Sequence, residues 1–211
     1  MADFKLSDKG LQLILNGEVG GGRKYYDKYC RFPVVPDPHN TMSGITIGIG
    51  WDCGQNSPDA FEMEWTAYLK EENSRALKAT CGLKRFAAAK ALESVKHIEI
   101  PFDTAVVQFQ VHTVQRYWRL TQSAFPGIEI APQCVKEALL SLVFNRGTSM
   151  SGDRRREMRE IQEFVSCGSW NEIPDRIRSM KRLWPSVKGL LRRREEEAAH
   201  IELGLQEEKM E

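Results

Sequence analysis

The chain has 211 residues, 41% hydrophobic and 28% charged. This is a globular composition on a length that supports a self-sufficient core, and it excludes a disordered chain. The net charge of +1 argues against a general nucleic-acid binder, and no apolar run approaches the roughly 20 residues that membrane insertion needs.

Charge is uneven along the chain. Residues 154–194 hold 12 Lys and Arg against 5 Asp and Glu, a basic segment suited to an anionic polymer. Residues 195–211 hold 1 against 7 and read as an acidic, solvated helix end. The polar start, Met1 to Gly10, lacks the apolar core and small-residue cleavage site of a secretory signal. The expectation is synthesis in the cytoplasm, with export left to other machinery. The cysteines, Cys30, Cys53, Cys81, Cys134 and Cys167, are odd in number and widely spaced, with no CxxC. They predict reduced, mostly buried thiols and neither a disulfide framework nor a metal or cofactor site.

In chain order, Ser7 caps a predicted helix to about Gly17, with Leu11, Ile14 and Leu15 at helical spacing, and Gly20-Gly21-Gly22 stops it. Residues 23–56 are rich in proline and glycine. Within them Ile45, Ile47 and Ile49 alternate with Thr46, Gly48 and Gly50, a strand signal of period two. Ser57-Pro58 opens a helical remainder, with helices predicted at about 58–79, 83–96, 103–124, 132–146, 153–166, 170–182 and 185–203. Gly147 and Gly168 mark helix ends. The fold class is α+β and mainly α. A single domain over 1–211 is expected, with a small lobe at about 1–56 carrying a short sheet, a helical lobe at about 57–203 and an acidic tail at 204–211.

Two pieces carry chemistry. Glu18 ends the first helix, where the helix dipole disfavours a negative charge. A carboxyl kept protonated is what a general acid requires. The second piece is Thr46-Ile47-Gly48-Ile49-Gly50-Trp51-Asp52-Cys53-Gly54-Gln55. A straight strand would separate Thr46 from Asp52 by about 20 Å, so they cooperate only if the chain turns at Gly48 or Gly50.

A glutamate closing the first helix, followed by a Thr-Ile-Gly-x-Gly strand, resembles the phage-type lysozymes, and TIGIGWDCGQ is similar to the lysozyme-like bacteriocins of the pesticin type. Two later segments agree in order. Ala138 to Gly147, ending Phe144-Asn145-Arg146-Gly147, is similar to the buried central helix of that superfamily, and Gly189-Leu190-Leu191-Arg192-Arg193-Arg194 to its late arginine segment.

The resemblance implies a lysozyme-like fold and a muramidase that hydrolyses the β-1,4 bond after N-acetylmuramic acid in peptidoglycan. Glu18 is then the general acid. Thr46 and an aspartate hold the attacking water on the opposite sugar face, which predicts inversion. Asp52 matches the pesticin pattern, where the aspartate follows the strand. Asp27, nine residues after Glu18, matches the phage pattern but is separated from Thr46 by a long insert. Motif context favours Asp52.

Other residues have two readings. Trp51 stacks on a sugar or anchors the hairpin. Asn145 and Arg146 touch substrate or end a helix. Arg192, Arg193 and Arg194 meet peptide carboxylates or form a solvated face with one internal pair. His39, His97, His112 and His200 form no metal spacing. Tyr117-Trp118-Arg119 reads as core packing. Rival functions are a non-catalytic glycan-binding module of the same fold and a thiol peptidase using Cys53 or Cys30 with His39. The expected partner is the glycan strand, with a cognate immunity protein if the chain serves as a toxin or secreted effector rather than an endolysin.

Overall fold

The computed structural model describes residues 4–39 and 41–210. The chain is mainly helical with one two-stranded sheet. Helix α1 (Asp8–Glu18) and a short α2 (Arg23–Tyr29) precede strands β1 (Thr46–Ile47) and β2 (Trp51–Asp52). Then come α3 (Pro58–Trp65), α4 (Glu71–Lys78), α5 (Arg85–Leu92), α6 (Phe102–Gln108), α7 (Val114–Ala124), α8 (Gln133–Arg146), α9 (Arg156–Cys167), α10 (Ile173–Ser179) and α11 (Lys188–Glu208). No helix among the described residues is long and apolar enough to cross a membrane. By internal packing the chain forms two units, residues 1–17 with 114–211, and residues 18–113.

The first unit is built on α8. Its central run, residues 137–143, is buried on every face, with Ala138, Leu139, Leu140, Leu142 and Val143 in the core, as expected of a helix wrapped by others. Helices α7 and α11 pack on α8, and α10 packs on α9 and α11. The start of α1 is tied to α8 by a buried carboxylate. Glu137 accepts from the Ser7 amide (2.6 Å), the Ser7 hydroxyl (3.1 Å), Gln133 (2.9 Å) and His200 of α11 (2.8 Å). The Ser7 hydroxyl in turn accepts from the Gly10 amide, so the predicted cap is present and is itself held by the core helix. Gly147 and Gly168, both at φ +71°, end α8 and α9.

In the second unit Ser57 caps α3, accepting from the Ala60 amide at 3.1 Å. Three predictions need correction. Residues 23–29, for which no helix was predicted, form one, anchored by Tyr26, which is fully buried and donates to the Ile100 carbonyl. The helix expected over 58–79 is two. A 3-10 turn at Thr66–Tyr68 and extended Leu69 and Lys70 separate α3 from α4, whose first turn carries Glu71 and Glu72, where the helix dipole favours acids. The run expected over 103–124 is interrupted by a π-helical turn at Phe109–Thr113, and the boundary between the two units falls at its end.

Candidate active site

The hairpin brings Thr46 and Asp52 together. β1 and β2 pair antiparallel with Thr46 opposite Asp52 and Ile47 opposite Trp51. The reversal is made by Gly48 and Gly50 at φ +56° and +70°, a region that L side chains resist. At Gly48 a Cβ would also lie 2.6 Å from the Trp65 ring, so glycine is required twice over.

The amide and carbonyl of Thr46 both bond to Val34, at 2.7 and 3.1 Å, on the side away from β2. Thr46 and Asp52 therefore form a non-hydrogen-bonded pair. Such pairs hold their Cα atoms about 4.5 Å apart with side chains at their closest. The two faces of the hairpin differ as the period-two pattern requires. Ile45, Ile47, Trp51 and Cys53 are buried, while Thr46 and Asp52 are half-buried and Val34 is exposed.

Asp52 is held by its backbone surroundings. Its Oδ1 accepts from the Gly44 amide at 2.9 Å and the Gly54 amide at 2.8 Å, capping the 3-10 turn Cys53–Gln55. Its Oδ2 has no hydrogen-bond partner among the described residues. The two amides converge because neither glycine carries a Cβ; one at Gly44 would lie 2.5 Å from the Gly54 Cα. One carboxylate oxygen is thus fixed by two amides.

Glu18 is the last residue of α1 and is half-buried. Buried Val19 and the left-handed Gly20, Gly21 and Gly22 turn the chain immediately after it. Glu18, Thr46 and Asp52 all fall in the second unit. Asp27 lies on the exposed side of α2, where its charge acts on Arg31.

Trp51 is not placed to stack on a sugar. It is 1% exposed, donates from Nε1 to Glu64 at 2.8 Å, and meets Phe61 and Trp65 edge-on. It is the hairpin's anchor in the core. Glu64, its buried acceptor, was not singled out from the sequence. Trp51 itself was the available signal, since the N–H of an indole taken into a core usually finds an acceptor.

Asn145 and Arg146 belong to the first unit, at the end of α8. Asn145 is exposed and accepts from Arg194 at 3.3 Å. Arg146 lies over the Trp184 ring at 4.8 Å and donates to the Arg154 carbonyl. Burial and the neighbouring Arg155 and Arg194 push its pKa down to about 10. The arginine run is not a solvated face. Arg192 is exposed, but Arg193 and Arg194 are 4% and 0% exposed and both bind buried Glu197 of their own helix. Arg193 also donates to the Ser141 carbonyl at 3.0 Å, and Ser141 donates to Glu197 at 2.7 Å. Two guanidinium groups this deep require such partners.

The thiols offered as nucleophiles are poorly suited to attack. Cys53 is fully buried, and the neighbouring Cys81 thiol together with burial holds its proton on. Burial likewise raises the pKa of Cys30. His39 is exposed and packs edge-on against Phe86. Among the described residues no group of three or more His, Cys, Asp or Glu side chains is placed to hold a metal ion. Trp118 stacks on Phe4 and Tyr117 packs at a tilt against Phe144, as core packing requires.

No protein-family model and no curated protein sequence matches the chain. Among solved structures it is similar to the active form of P1 phage endolysin Lyz, with a TM-score of 0.57 and 18% identity over 96% of this chain and 87% of that one. The chain has a lysozyme-like, mainly α fold with a small antiparallel sheet.

Proposed function

We propose that the protein is a peptidoglycan muramidase that hydrolyses the β-1,4 bond between N-acetylmuramic acid and N-acetylglucosamine. The observation that supports this most is the pairing of Thr46 with Asp52 on the open face of a glycine-turned hairpin, in the unit that also carries Glu18 at a helix end. The fold shared with P1 phage endolysin Lyz, an endolysin by name, supports the same reading.

In this mechanism Glu18 protonates the leaving glycosidic oxygen. Water sits between the Thr46 hydroxyl and the unengaged Oδ2 of Asp52. The hydroxyl orients it, and the carboxylate takes its proton, because a threonine hydroxyl is too weak a base alone. Attack on the face opposite the departing sugar inverts the anomeric carbon. Inverting enzymes of this kind hold their carboxyls about 6.5–9.5 Å apart to admit the water. Asp52 is preferred to Asp27 because it pairs with Thr46 across the hairpin, while Asp27 lies on the exposed side of α2. The buried thiol of Cys53 and the half-buried thiol of Cys30, both with raised pKa, make a thiol peptidase the weaker reading.

The test is fragment analysis after incubating the purified chain with cell-wall sacculi. A muramidase releases glycan fragments with new N-acetylmuramic acid reducing ends. Free amino groups without new reducing ends would instead indicate a peptidase. Sedimentation with sacculi and no release would indicate a binding module.

A further inference from the structure

Cys53 and Cys81 both lie in the second unit, and neither takes part in the proposed mechanism. Cys53 directly follows Asp52 and is fully buried, while Cys81, past the end of α4, is partly open to solvent. The Cys53 carbonyl accepts the Gly82 amide at 3.0 Å, so the backbones at 53 and 81 run side by side. The two thiols lie close enough to shift each other's hold on a proton, raising that of Cys53 and lowering that of Cys81. Disulfides need Cα atoms about 4.4–6.8 Å apart with Cβ atoms facing each other. The backbone hydrogen bond from the residue after Cys81 to the Cys53 carbonyl brings the two cysteines to neighbouring positions on adjacent backbones, which suits that approach.

The two thiols are chemically unequal. The neighbouring Cys53 thiol and the charge of Lys78 favour the Cys81 thiolate, which outweighs its partial burial. The neighbouring Cys81 and full burial hold the proton on Cys53. An accessible thiolate beside a sheltered second thiol is the arrangement of an attacking and a resolving cysteine.

We propose that Cys81 and Cys53 are a thiol modification site that closes to an intramolecular disulfide when the protein meets a low-molecular-weight disulfide. The Cys81 thiolate attacks one sulfur of RSSR, forming Cys81–S–SR and expelling RS⁻. Cys53 then gives up its proton, and its sulfur attacks the Cys81 sulfur and expels the second RS⁻. In sum, two protein thiols and one RSSR become one protein disulfide and two RSH. The protein loses two electrons and the reagent gains them. The bridge ties the residue after Asp52 to the segment following α4, and by closing a loop it stabilises the fold against heat.

The experiment treats the folded full-length chain with oxidised glutathione, quenches with acid, alkylates the remaining thiols under denaturing conditions and maps the peptides by mass spectrometry. The expected product is a 53–81 cross-linked peptide two hydrogens lighter than its reduced parts, with a higher melting temperature than the reduced protein. Cys53→Ala should stall with one glutathione on Cys81, and Cys81→Ser should give no bridge. If a variant fails to fold, the wild-type peptide map decides alone. Recovery of wild-type Cys81 either unreacted or still carrying glutathione, with Cys53 alkylated, overturns the proposal.

Discussion

Asp52 binds two amides through Oδ1 and, in the proposed mechanism, takes a proton through Oδ2, and its substitutions should separate the two roles. Asparagine keeps an oxygen for the Gly44 and Gly54 amides but has no charge to take a proton from water. Asp52→Asn should therefore keep a wild-type melting temperature while losing roughly 10²–10⁴-fold in rate, the range for a missing general base. Asp27→Asn, changed on an exposed helix face, should retain full activity; a reversed pattern in the same reducing-end assay would move the base to Asp27. Gly48 tests the scaffold beneath the pair. Gly48→Ala forces a left-handed backbone and a contact with Trp65, and should cost about 1–3 kcal/mol in a urea unfolding titration. A neutral result there would mean that the turn relaxes easily and does not fix the register of Thr46.

At the scale of elements, α1 carries Glu18 at one end and is pinned at the other by Glu137 of α8. Burial alone would raise the Glu137 pKa, but hydrogen bonds from His200, the Ser7 amide, Gln133 and the Ser7 hydroxyl more than offset it and leave it below the usual carboxylate range. A carboxylate depressed in the folded state contributes stability above its unfolded pKa and loses it as pH falls through the folded one. Wild-type stability should accordingly decline as pH drops below the ordinary glutamate value of about 4.3, and Glu137→Gln should be less stable at neutral pH with a shallower decline below that point. Denaturant midpoints from pH 7 to 3 check this, and parallel curves for the two proteins would contradict it. What local pattern records also varies by element. The Ser7 cap, the Gly147 stop and the alternating isoleucines were legible because each is a signal within a few residues. Helix α2 was not, because its anchor is the long-range bond from Tyr26 to Ile100. Trp51 and Arg193–Arg194 were read ambiguously for the same reason, since their partners Glu64, Ser141 and Glu197 become neighbours only through packing.

For the whole molecule, the lysozyme-like fold was legible from four ordered segments, although identity to the similar endolysin is only 18%. Those segments mark places where the backbone has few alternatives: a helix end before three glycines, a turn that only glycine makes, a helix with its central run buried all round and a buried arginine pair. The division of the chain into units 1–17 with 114–211 and 18–113 was harder to foresee, because it depends on which helices pack together rather than on composition along the chain. The reading of this fold as an enzyme rests on a proton delivered from Glu18. The direct test is the rate at which wild type and Glu18→Gln release N-acetylmuramic acid reducing ends from purified sacculi, with circular dichroism to compare their folds. The account predicts steady release by the wild type and none above background from an equally folded glutamine variant. Equal release by both proteins would contradict it.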